Sequence, residues 1–296
     1  MDKAGKTILV TGATGRQGYS VLRHLLKDQW RVKALSRTPD SSLSEKIKKL
    51  GVEVVKGDMS DVASLEKAMA GCYGVYSVQN FFEYGGLKEV QFGKNMADAA
   101  KQAGVSHFIY NSVGGADKQS GVPHFETKFT IENHIRGLKL PATIFRPVVF
   151  MENYFILQVY KGLLGGKFMD AVAPEKKFQT IAVDDIGAYV ALAFEQPEKF
   201  MEMALEIAGD ELTNKARTEV FSKVMGRPVK FSKLPLLVAR VFMGKDLHQM
   251  FRWFNNTGFG ANIEENRRRF PEVQPMNLET WLIANGWDRW NKKGSI

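Results

Sequence analysis

The stretch TILVTGATGRQGYSVLRHLL, residues 7–26, decides the fold of this 296-residue chain. It opens with Ile8, Leu9 and Val10, a short apolar run typical of a strand that is buried on both faces. A glycine-rich turn follows, and apolar residues then recur at helical spacing over residues 21–26. A strand, a glycine turn and a helix in this order are what a dinucleotide site requires.

Three glycines give the turn its predicted function. Gly12 permits a tight turn, Gly15 lets the backbone approach a pyrophosphate, and Gly18 allows the helix to pack close to the strand. The pyrophosphate would lie on the N–H groups at the start of the helix. A plain glycine-rich loop is the alternative interpretation. We assign cofactor contacts to Gly12, Thr14, Gly15, Arg16, Gln17 and Gly18.

The phrase VTGATGRQG, residues 10–18, resembles the short-chain dehydrogenase/reductase superfamily, and more narrowly its atypical NmrA-like branch. The glycines are spaced G-x-x-G-x-x-G, and in that branch a residue such as Gln17 follows the middle glycine. The resemblance implies an α/β fold, with a Rossmann-type doubly wound parallel sheet and a smaller C-terminal α/β substrate lobe. We expect an NADP(H)-binding domain over residues 1–150, a substrate or partner lobe over residues 151–296, and a return to the first domain over residues 178–195.

The composition is that of an ordinary globular protein, with 44% hydrophobic and 25% charged residues. The single cysteine, Cys72, has no intramolecular partner, which excludes a disulfide scaffold and suits a reducing compartment. Residues 1–5 lack the apolar stretch of a signal peptide, and no later run resembles a membrane span. We therefore expect a cytoplasmic protein that has no membrane partner.

The formal net charge of +9 raises the question of nucleic-acid binding. Basic residues are densest over residues 215–245, which include Arg217, and recur over residues 267–269. Neither region has the aromatic interleaving or the fold motif of a nucleic-acid module. We interpret the first region as a solvated helix face. A ligand with several phosphates also gains from positive potential, so the net charge does not by itself indicate nucleic acid, and we do not expect a nucleic-acid partner.

The end of the second predicted strand, residues 31–36, indicates which dinucleotide binds. An acid there would accept hydrogen bonds from a free 2′-hydroxyl, but the chain offers Ser36 and Arg37 instead. A hydroxyl and a fixed cation suit a 2′-phosphate, so NADP(H) is favoured over NAD(H). Arg16 would add a second cation near that phosphate. The alternative is that Arg37 is an ordinary surface arginine.

Two further strand ends carry polar residues. The resemblance places Asp58 at the rim of the adenine ring, with Met59 against the ring. Asp58 could equally cap the turn before a helix over residues 61–70. The two roles are compatible. Gln79 and Asn80 leave the strand predicted over residues 73–78 at the edge where open α/β sheets bind ligands, which suits the nicotinamide-side ribose. A helix is predicted over residues 87–103.

The candidate chemistry lies after the fifth strand. Ser112 occupies the place where the superfamily carries its serine, with a simple turn residue as the alternative. Lys128 stands where the Tyr-x-x-x-Lys motif places its lysine, a ligand of the nicotinamide ribose, and His124 stands at the tyrosine position. An imidazole titrates near neutrality and could donate a proton. The alternative is that His124 is a turn residue after Pro123. Our candidate catalytic residues are Lys128 and His124.

Further along, the run from residue 147 to Phe150 resembles the segment that passes over the nicotinamide in this superfamily, and Asn153 follows within reach. Asp184 and Asp185 could be mistaken for a metal pair, but a helix cap at Asp184 with dipole support from Asp185 is the preferred interpretation, and we expect no metal. The chain then becomes rich in adaptable side chains that could line an apolar pocket, the core or a dimer face: Met243, Met250, Phe251, Trp253, Phe254 and Phe259.

Two functions follow from the resemblance. One is an NADPH-dependent reductase, hence an oxidoreductase, whose acceptor is flat and apolar, such as a quinone, a dye or an aromatic ketone. Such acceptors take hydride at the nicotinamide face and a proton from water, so the missing tyrosine does not exclude reduction. The other is a non-catalytic NADP(H) redox sensor that acts on a regulatory protein partner, which the missing tyrosine motivates. The sequence leaves the oligomeric state open.

Overall fold

The computed structural model describes residues 3–292, without the side chains of residues 239, 242, 243 and 290–292, so Met243 lies outside the described side chains. The chain divides into two compact units. The first unit comprises residues up to 118, residues 123–146 and residues 186–205. The second unit comprises residues 119–122, residues 147–185 and the chain from residue 206 onwards.

The strands of the described chain are short. Their bounds are β1 Thr7–Val10, β2 Arg31–Ser36, β3 Glu53–Lys56, β4 Gly74–Ser77, β5 His107–Asn111, β6 Ala142–Pro147, β7 Val149–Phe150, β8 Lys167–Asp170, β9 Phe178–Ile181, β10 Ala204–Ile207, β11 Asp210–Leu212 and β12 Lys230–Lys233.

Helices connect these strands. Their bounds are α1 Arg16–Lys27, α2 Ser42–Lys48, α3 Val62–Met69, α4 Phe81–Gln102, α5 Pro123–Gly137, α6 Leu157–Leu164, α7 Val183–Glu195, α8 Pro197–Phe200, α9 Asn214–Met225, α10 Leu236–Asn256, α11 Ile263–Arg269 and α12 Leu278–Ala284.

Seven of the described strands form the main sheet, in the order β3-β2-β1-β4-β5-β6-β10. The pairs from β3 through to β6 are all parallel. The order 3-2-1-4-5-6 is that of a doubly wound dinucleotide-binding sheet, whose topological switch point lies between β1 and β4. The predicted α/β fold class, a Rossmann-type sheet with a smaller C-terminal α/β lobe, is therefore confirmed.

The sheet is buried on both faces, as parallel sheets require. On one face α3, α4 and α5 pack their apolar residues against the central strands, with Met69, Met96 and Ile131 fully buried. On the other face α1 buries Val21 and Leu22. This two-sided burial explains why the central strand β1 is a continuous apolar run in the sequence. It also leaves the carboxyl ends of the strands, with their polar residues, at one edge.

Helix α4 differs from its predicted bounds of 87–103, because it begins six residues earlier, at Phe81. The side-chain oxygen of Asn80 accepts the backbone N–H of Phe82 at 3.1 Å and so caps the helix start. Gly85 interrupts the helix with a φ of 75° and a ψ of 164°. One turn, residues 81–84, is thereby separated from the main body of the helix.

The second unit has a core of its own, built from aromatic residues such as Phe168, Phe221 and Trp281. Arg217 was predicted to lie on a solvated helix face, and that prediction is wrong, since Arg217 is only 2% exposed. Its guanidinium lies 4.6 Å from the ring centre of Phe178 and 3.4 Å from a carboxylate oxygen of Asp170. The aromatic face and the carboxylate together allow the cation to be buried.

Helix α7 begins at Val183, so the predicted cap at Asp184 is wrong and both aspartates lie in the first helical turn. Asp185 is buried and accepts the backbone N–H of Met276 at 3.0 Å. Burial is the main reason why the pKa of Asp185 is raised to about 7. Within the described residues no group of three His, Cys, Asp or Glu side chains is placed to hold a metal ion.

Across residues 3–292, no helix combines the length and the apolar character that crossing a bilayer demands.

Candidate functional site

The glycine turn joins β1 to α1 in the first unit. Gly12 has a φ of 63°, a left-handed conformation that favours glycine, and its carbonyl accepts the N–H of Gly15 at 2.8 Å. A Cβ atom added at Gly18 would lie 2.3 Å from the Gly12 oxygen, so only glycine lets the helix approach the turn this closely. Of the described side chains, none caps the start of α1. The backbone N–H groups there form a site suited to an anion.

Gln17 is anchored from the neighbouring strand end. The Nδ2 atom of Asn111, the last residue of β5, donates a hydrogen bond to Oε1 of Gln17 at 2.6 Å. Asn111 is 1% exposed, and its own Oδ1 atom has no hydrogen-bond partner among residues 3–292. Thr14 and Arg16 are exposed on the same turn. Asn111 is not among the site residues predicted from the sequence, although its position at the end of a buried strand was the available signal.

Ser36 is the last residue of β2, and Arg37 follows it. The Ser36 hydroxyl oxygen accepts the Thr38 N–H at 3.1 Å, so it takes part in the local turn. The Arg37 side chain is 60% exposed, and its Nη2 atom lies 3.5 Å from a carboxylate oxygen of Glu83. Its guanidinium also lies 5.7 Å from the ring centre of Tyr84. Arg37 is therefore an accessible cation next to an acid from the first turn of α4.

Asp58 and Met59 follow β3. The Asp58 carboxylate accepts the backbone N–H and the hydroxyl of Ser60 at 2.8 and 2.7 Å. These bonds, with the charge of Arg37, lower the pKa of Asp58. Asp58 thus stabilises the turn, whereas the helix α3 is capped by Asp61. The Met59 sulfur lies 3.9 Å from Nε2 of Gln79, which brings these two predicted site residues together.

Gln79 lies two residues after the end of β4 and is buried, with 4% exposure. Its Nε2 atom donates to the Ser77 hydroxyl at 2.9 Å, while its Oε1 atom has no partner among the described residues. The backbone carbonyl of Gln79 accepts a hydrogen bond from the Lys128 ammonium at 3.2 Å. Asn80, the next residue, uses its side chain to cap α4.

Lys128 is held by an acid that was not predicted from the sequence. Its Nζ atom lies 3.0 Å from Oε1 of Glu89, a fully buried carboxylate on α4, and 5.8 Å from the ring centre of Tyr110. The side chain of Lys128 remains 12% exposed. Glu89 lies four residues before Gly93 and seven before Met96, on the buried stripe of the helix, and that spacing was the available signal.

His124 lies among aromatic side chains and is only 7% exposed. The ring centres of Phe81, Phe82 and Phe125 lie 5.6, 5.3 and 4.9 Å from its own. Burial, and then the charge of Lys128, lowers the pKa of His124 to about 4. The imidazole is therefore uncharged at neutral pH, and it can offer a neutral N–H but not an imidazolium proton.

Ser112 belongs to a buried ion-pair network. Its hydroxyl donates to Oε1 of Glu132 at 2.6 Å, and the Arg146 guanidinium binds both oxygens of that carboxylate at 2.9 and 2.6 Å. Arg146 also pairs with Asp117. Bidentate pairing of this kind fixes geometry strongly. The network holds the loop after β5, and with it Ser112, against α5 and β6.

Phe150 and Asn153 belong to the second unit, whereas the other predicted site residues lie in the first. Phe150 ends β7, which pairs with β9, and Asn153 lies in a short 3₁₀ helix, Met151–Phe155. In the same unit Phe254 packs against Phe178 and Trp253, with ring centres 4.9 and 5.7 Å apart, and both Trp253 and Phe254 are buried. These two side chains belong to the core of the second unit.

Comparisons with known proteins show the family to which the chain belongs. Residues 4–282 match the sequence profile of the NmrA-like family. An NmrA-like family domain-containing protein of Dictyostelium discoideum is 33% identical over 273 residues, which cover 87% of this chain and 90% of that relative.

Two solved structures share the fold. An NADPH-dependent quinone oxidoreductase from Escherichia coli, complexed with NADPH, has a TM-score of 0.79 at 22% identity and covers 94% of this chain and 99% of its own. NmrA, a negative transcriptional regulator in complex with NADP, has a TM-score of 0.75 at 20% identity and covers 93% of this chain and 94% of its own. The profile match and the Dictyostelium relative establish that this chain belongs to the NmrA-like family.

Proposed function

We propose that the first unit binds NADP(H) and that the protein is an NADPH-dependent reductase of a flat apolar acceptor. The observation that carries this proposal is the Lys128 ammonium, held at the carboxyl edge of the sheet by Glu89 and by the Gln79 carbonyl. A lysine fixed there suits the hydroxyl groups of a nicotinamide-side ribose. A quinone, a dye or an aromatic ketone is the class of acceptor that we propose.

The residues of the first unit fit the dinucleotide. A Cβ added at Gly15 would have only the Gly12 oxygen, at 3.3 Å, within 4 Å among the described residues, so the turn is open to a pyrophosphate. Two buried acceptors, Oε1 of Gln79 and Oδ1 of Asn111, have no protein partner in residues 3–292. Buried acceptors of this kind require a hydrogen-bond donor, and ribose hydroxyls supply donors.

The adenosine end of the site carries the proposed preference for NADP(H). Arg37 is exposed and presents a planar cation that can form two hydrogen bonds to a 2′-phosphate. Ser36, Asp58 and Met59 lie at neighbouring strand ends and would contact the adenosine. Arg16, at the start of α1, would add positive charge.

When bound, NADPH supplies a hydride from its nicotinamide ring. In the proposed reaction the acceptor gains that hydride, with its two electrons, and takes one proton from water, which leaves NADP⁺ and the reduced acceptor. Lys128 would orient the ribose, and Oε1 of Gln79 would accept a hydrogen bond from a ribose hydroxyl. His124 is uncharged at neutral pH, so its proposed contribution is a neutral hydrogen bond or aromatic packing rather than proton donation.

The two structural neighbours support NADP(H) binding, but their functions differ. The Escherichia coli neighbour is an NADPH-dependent quinone oxidoreductase, whereas NmrA is a negative transcriptional regulator that binds NADP. The second candidate function is accordingly a non-catalytic redox sensor with a regulatory protein partner. The buried, uncharged His124 at the tyrosine position favours it, because a sensor needs no proton donor.

Two measurements test these functions. NADPH binding is measured by calorimetry, and NADPH oxidation is followed at steady state with a panel of quinones, dyes and enones. A reductase oxidises NADPH with at least one acceptor, and Lys128→Met lowers its rate, while His124→Phe retains most of it. If no acceptor is reduced although NADPH binds, the reductase proposal fails. A sensor would bind NADPH and NADP⁺ with different affinities and capture a partner in only one of the two states.

A further inference from the structure

We propose that Glu89 is a positioning residue that aims the Lys128 ammonium at the cofactor. The inference rests on the proposed NADP(H) site. It adds Glu89 to that site, a residue that lies 39 positions before Lys128 in the sequence. Glu89 acts through Lys128 and makes no contact with the cofactor itself.

Glu89 is an ionisable side chain with no exposed surface. A charged carboxylate buried in this way is costly unless it is paired and hydrogen-bonded. Both of its oxygens are occupied: Oε1 accepts from the Lys128 ammonium at 3.0 Å, and Oε2 accepts from the Thr127 hydroxyl at 2.5 Å. With one bond on each oxygen, the carboxylate is held in a single orientation.

The ammonium group of Lys128 has three N–H bonds. One points to Glu89 and one to the carbonyl oxygen of Gln79, at 3.0 and 3.2 Å. Because the three bonds are tetrahedral, fixing two of them fixes the direction of the third. The Lys128 side chain keeps 12% of its surface exposed while Glu89 keeps none. In the proposed complex the remaining N–H would meet the ribose hydroxyls.

A flexible lysine loses rotamer freedom when it binds a ligand. Here Glu89 and Gln79 have already removed that freedom, so the ammonium is preorganised for the ribose hydroxyls. Without Glu89 the ammonium would have one acceptor instead of two, and its third N–H would no longer be aimed. The cofactor would then lose affinity at its nicotinamide half only.

The test compares two ligands on one variant. Glu89→Gln keeps the side-chain volume and removes the charge. We expect it to weaken NADPH about tenfold, as loss of a charge-assisted interaction would. It should leave the affinity for 2′,5′-ADP unchanged, because that molecule holds the adenosine half and has no nicotinamide ribose. Calorimetry measures both affinities, and thermal unfolding checks the fold.

A double-mutant cycle identifies the route of the effect. In the Lys128→Met background, Glu89→Gln should cause no further loss of NADPH affinity, since the side chain through which Glu89 acts is absent. Thr127→Val is the matched control, because it removes the other bond to Glu89 but keeps its charge, and it should weaken NADPH less than Glu89→Gln. If Glu89→Gln does not fold, Glu89→Asp replaces it: it retracts the carboxylate by one methylene and should weaken NADPH severalfold, again without affecting 2′,5′-ADP.

Equal losses for NADPH and 2′,5′-ADP would overturn the inference, because they would indicate a general disturbance of the fold. Additive losses in the double-mutant cycle would overturn it as well. If the wild-type protein binds no NADPH, the proposed function fails instead, so the two failures are distinguishable.

Discussion

Asn111 donates a hydrogen bond from its Nδ2 atom to Oε1 of Gln17 at 2.6 Å, and this bond ties the glycine turn to the end of β5. The two residues are 94 positions apart in the chain. The bond fixes the first turn of α1 relative to the central strands, so it holds the predicted pyrophosphate site in register with the rest of the edge.

Asn111→Ala should therefore weaken NADPH severalfold and lower the free energy of unfolding by about 1–2 kcal/mol, the usual loss for a buried hydrogen bond. Calorimetry and urea unfolding measure the two effects. Gln17→Ala should weaken NADPH by a similar factor, and the double variant should be little worse than either single one. Fully additive losses would contradict a role for the bond itself.

Arg37 and Glu83 should affect NADP(H) in opposite directions. Arg37→Ala removes the cation and should weaken NADPH at least tenfold while leaving NADH nearly unchanged, because only the 2′-phosphate loses a partner. Glu83→Gln removes the negative charge 3.5 Å from Arg37, so it should strengthen NADPH severalfold.

NADH is the control ligand for both variants, since it lacks the 2′-phosphate. Parallel titrations at low and high salt should show a smaller effect of Glu83→Gln at high salt, because exposed charges are screened. A loss of NADH affinity equal to that of NADPH in Arg37→Ala would rule out the assignment of Arg37 to the 2′-phosphate.

The glycine turn offers a matched pair of variants. Gly18→Ala places a Cβ 2.3 Å from the Gly12 carbonyl oxygen, so it should lower the melting temperature and abolish NADPH binding together. Gly15→Ala meets only that oxygen, at 3.3 Å, and should leave the melting temperature within a few degrees of the wild type. Its methyl group would nevertheless stand where the pyrophosphate approaches, so NADPH affinity should fall at least tenfold. A Gly15→Ala protein that binds NADPH normally would argue against this position for the pyrophosphate.

Buried histidines should make the first unit acid-sensitive. Burial lowers the pKa of His107 and of His124 to about 4, below the value of about 6.5 expected in the unfolded chain. Between these two pH values the unfolded chain binds more protons than the folded chain. The contribution of the two histidines to the free energy of unfolding is therefore fully present above about pH 6.5 and is lost as the pH falls toward 4. His124→Phe removes one of the two contributions, worth up to about 3 kcal/mol for a shift of this size.

Urea unfolding at pH 7.5 and pH 5 measures the effect, and the difference between the two should be smaller for His124→Phe than for the wild type. Asp185 acts in the opposite direction: its raised pKa of about 7 makes stability fall as the pH rises from about 4 to 7. Because both proteins contain Asp185, its contribution cancels in the comparison. An unchanged pH dependence would show that His124 is not buried as an uncharged group.

The parallel sheet and the glycine turn could be predicted because their signals are local. A buried strand is a continuous apolar run, and the spacing of Gly12, Gly15 and Gly18 is contained in seven residues. The cap of α9 is a local feature of the same kind: Thr213 stands directly before the helix, and its hydroxyl oxygen accepts a hydrogen bond from the Ala216 N–H.

The partners of the site residues could not be predicted in the same way. Glu89 and Lys128 lie on different helices, and the apolar pattern of α4 shows which face is buried but not that an acid on that face meets a lysine. Arg217 was misassigned because positive charge predicts exposure, whereas an aromatic face and Asp170 permit its burial. The early start of α4 was missed because Gly85 interrupts the helical spacing.

The early start of α4 at Phe81 links two parts of the candidate site. The single turn over residues 81–84 carries Glu83, which lies beside Arg37, and also Phe81 and Phe82, which surround His124. An insertion or deletion in this turn would displace both sets of contacts at once. Under the proposed function Arg37 binds the 2′-phosphate and His124 borders the nicotinamide side of the site, so a change in this turn would alter both ends of the site together.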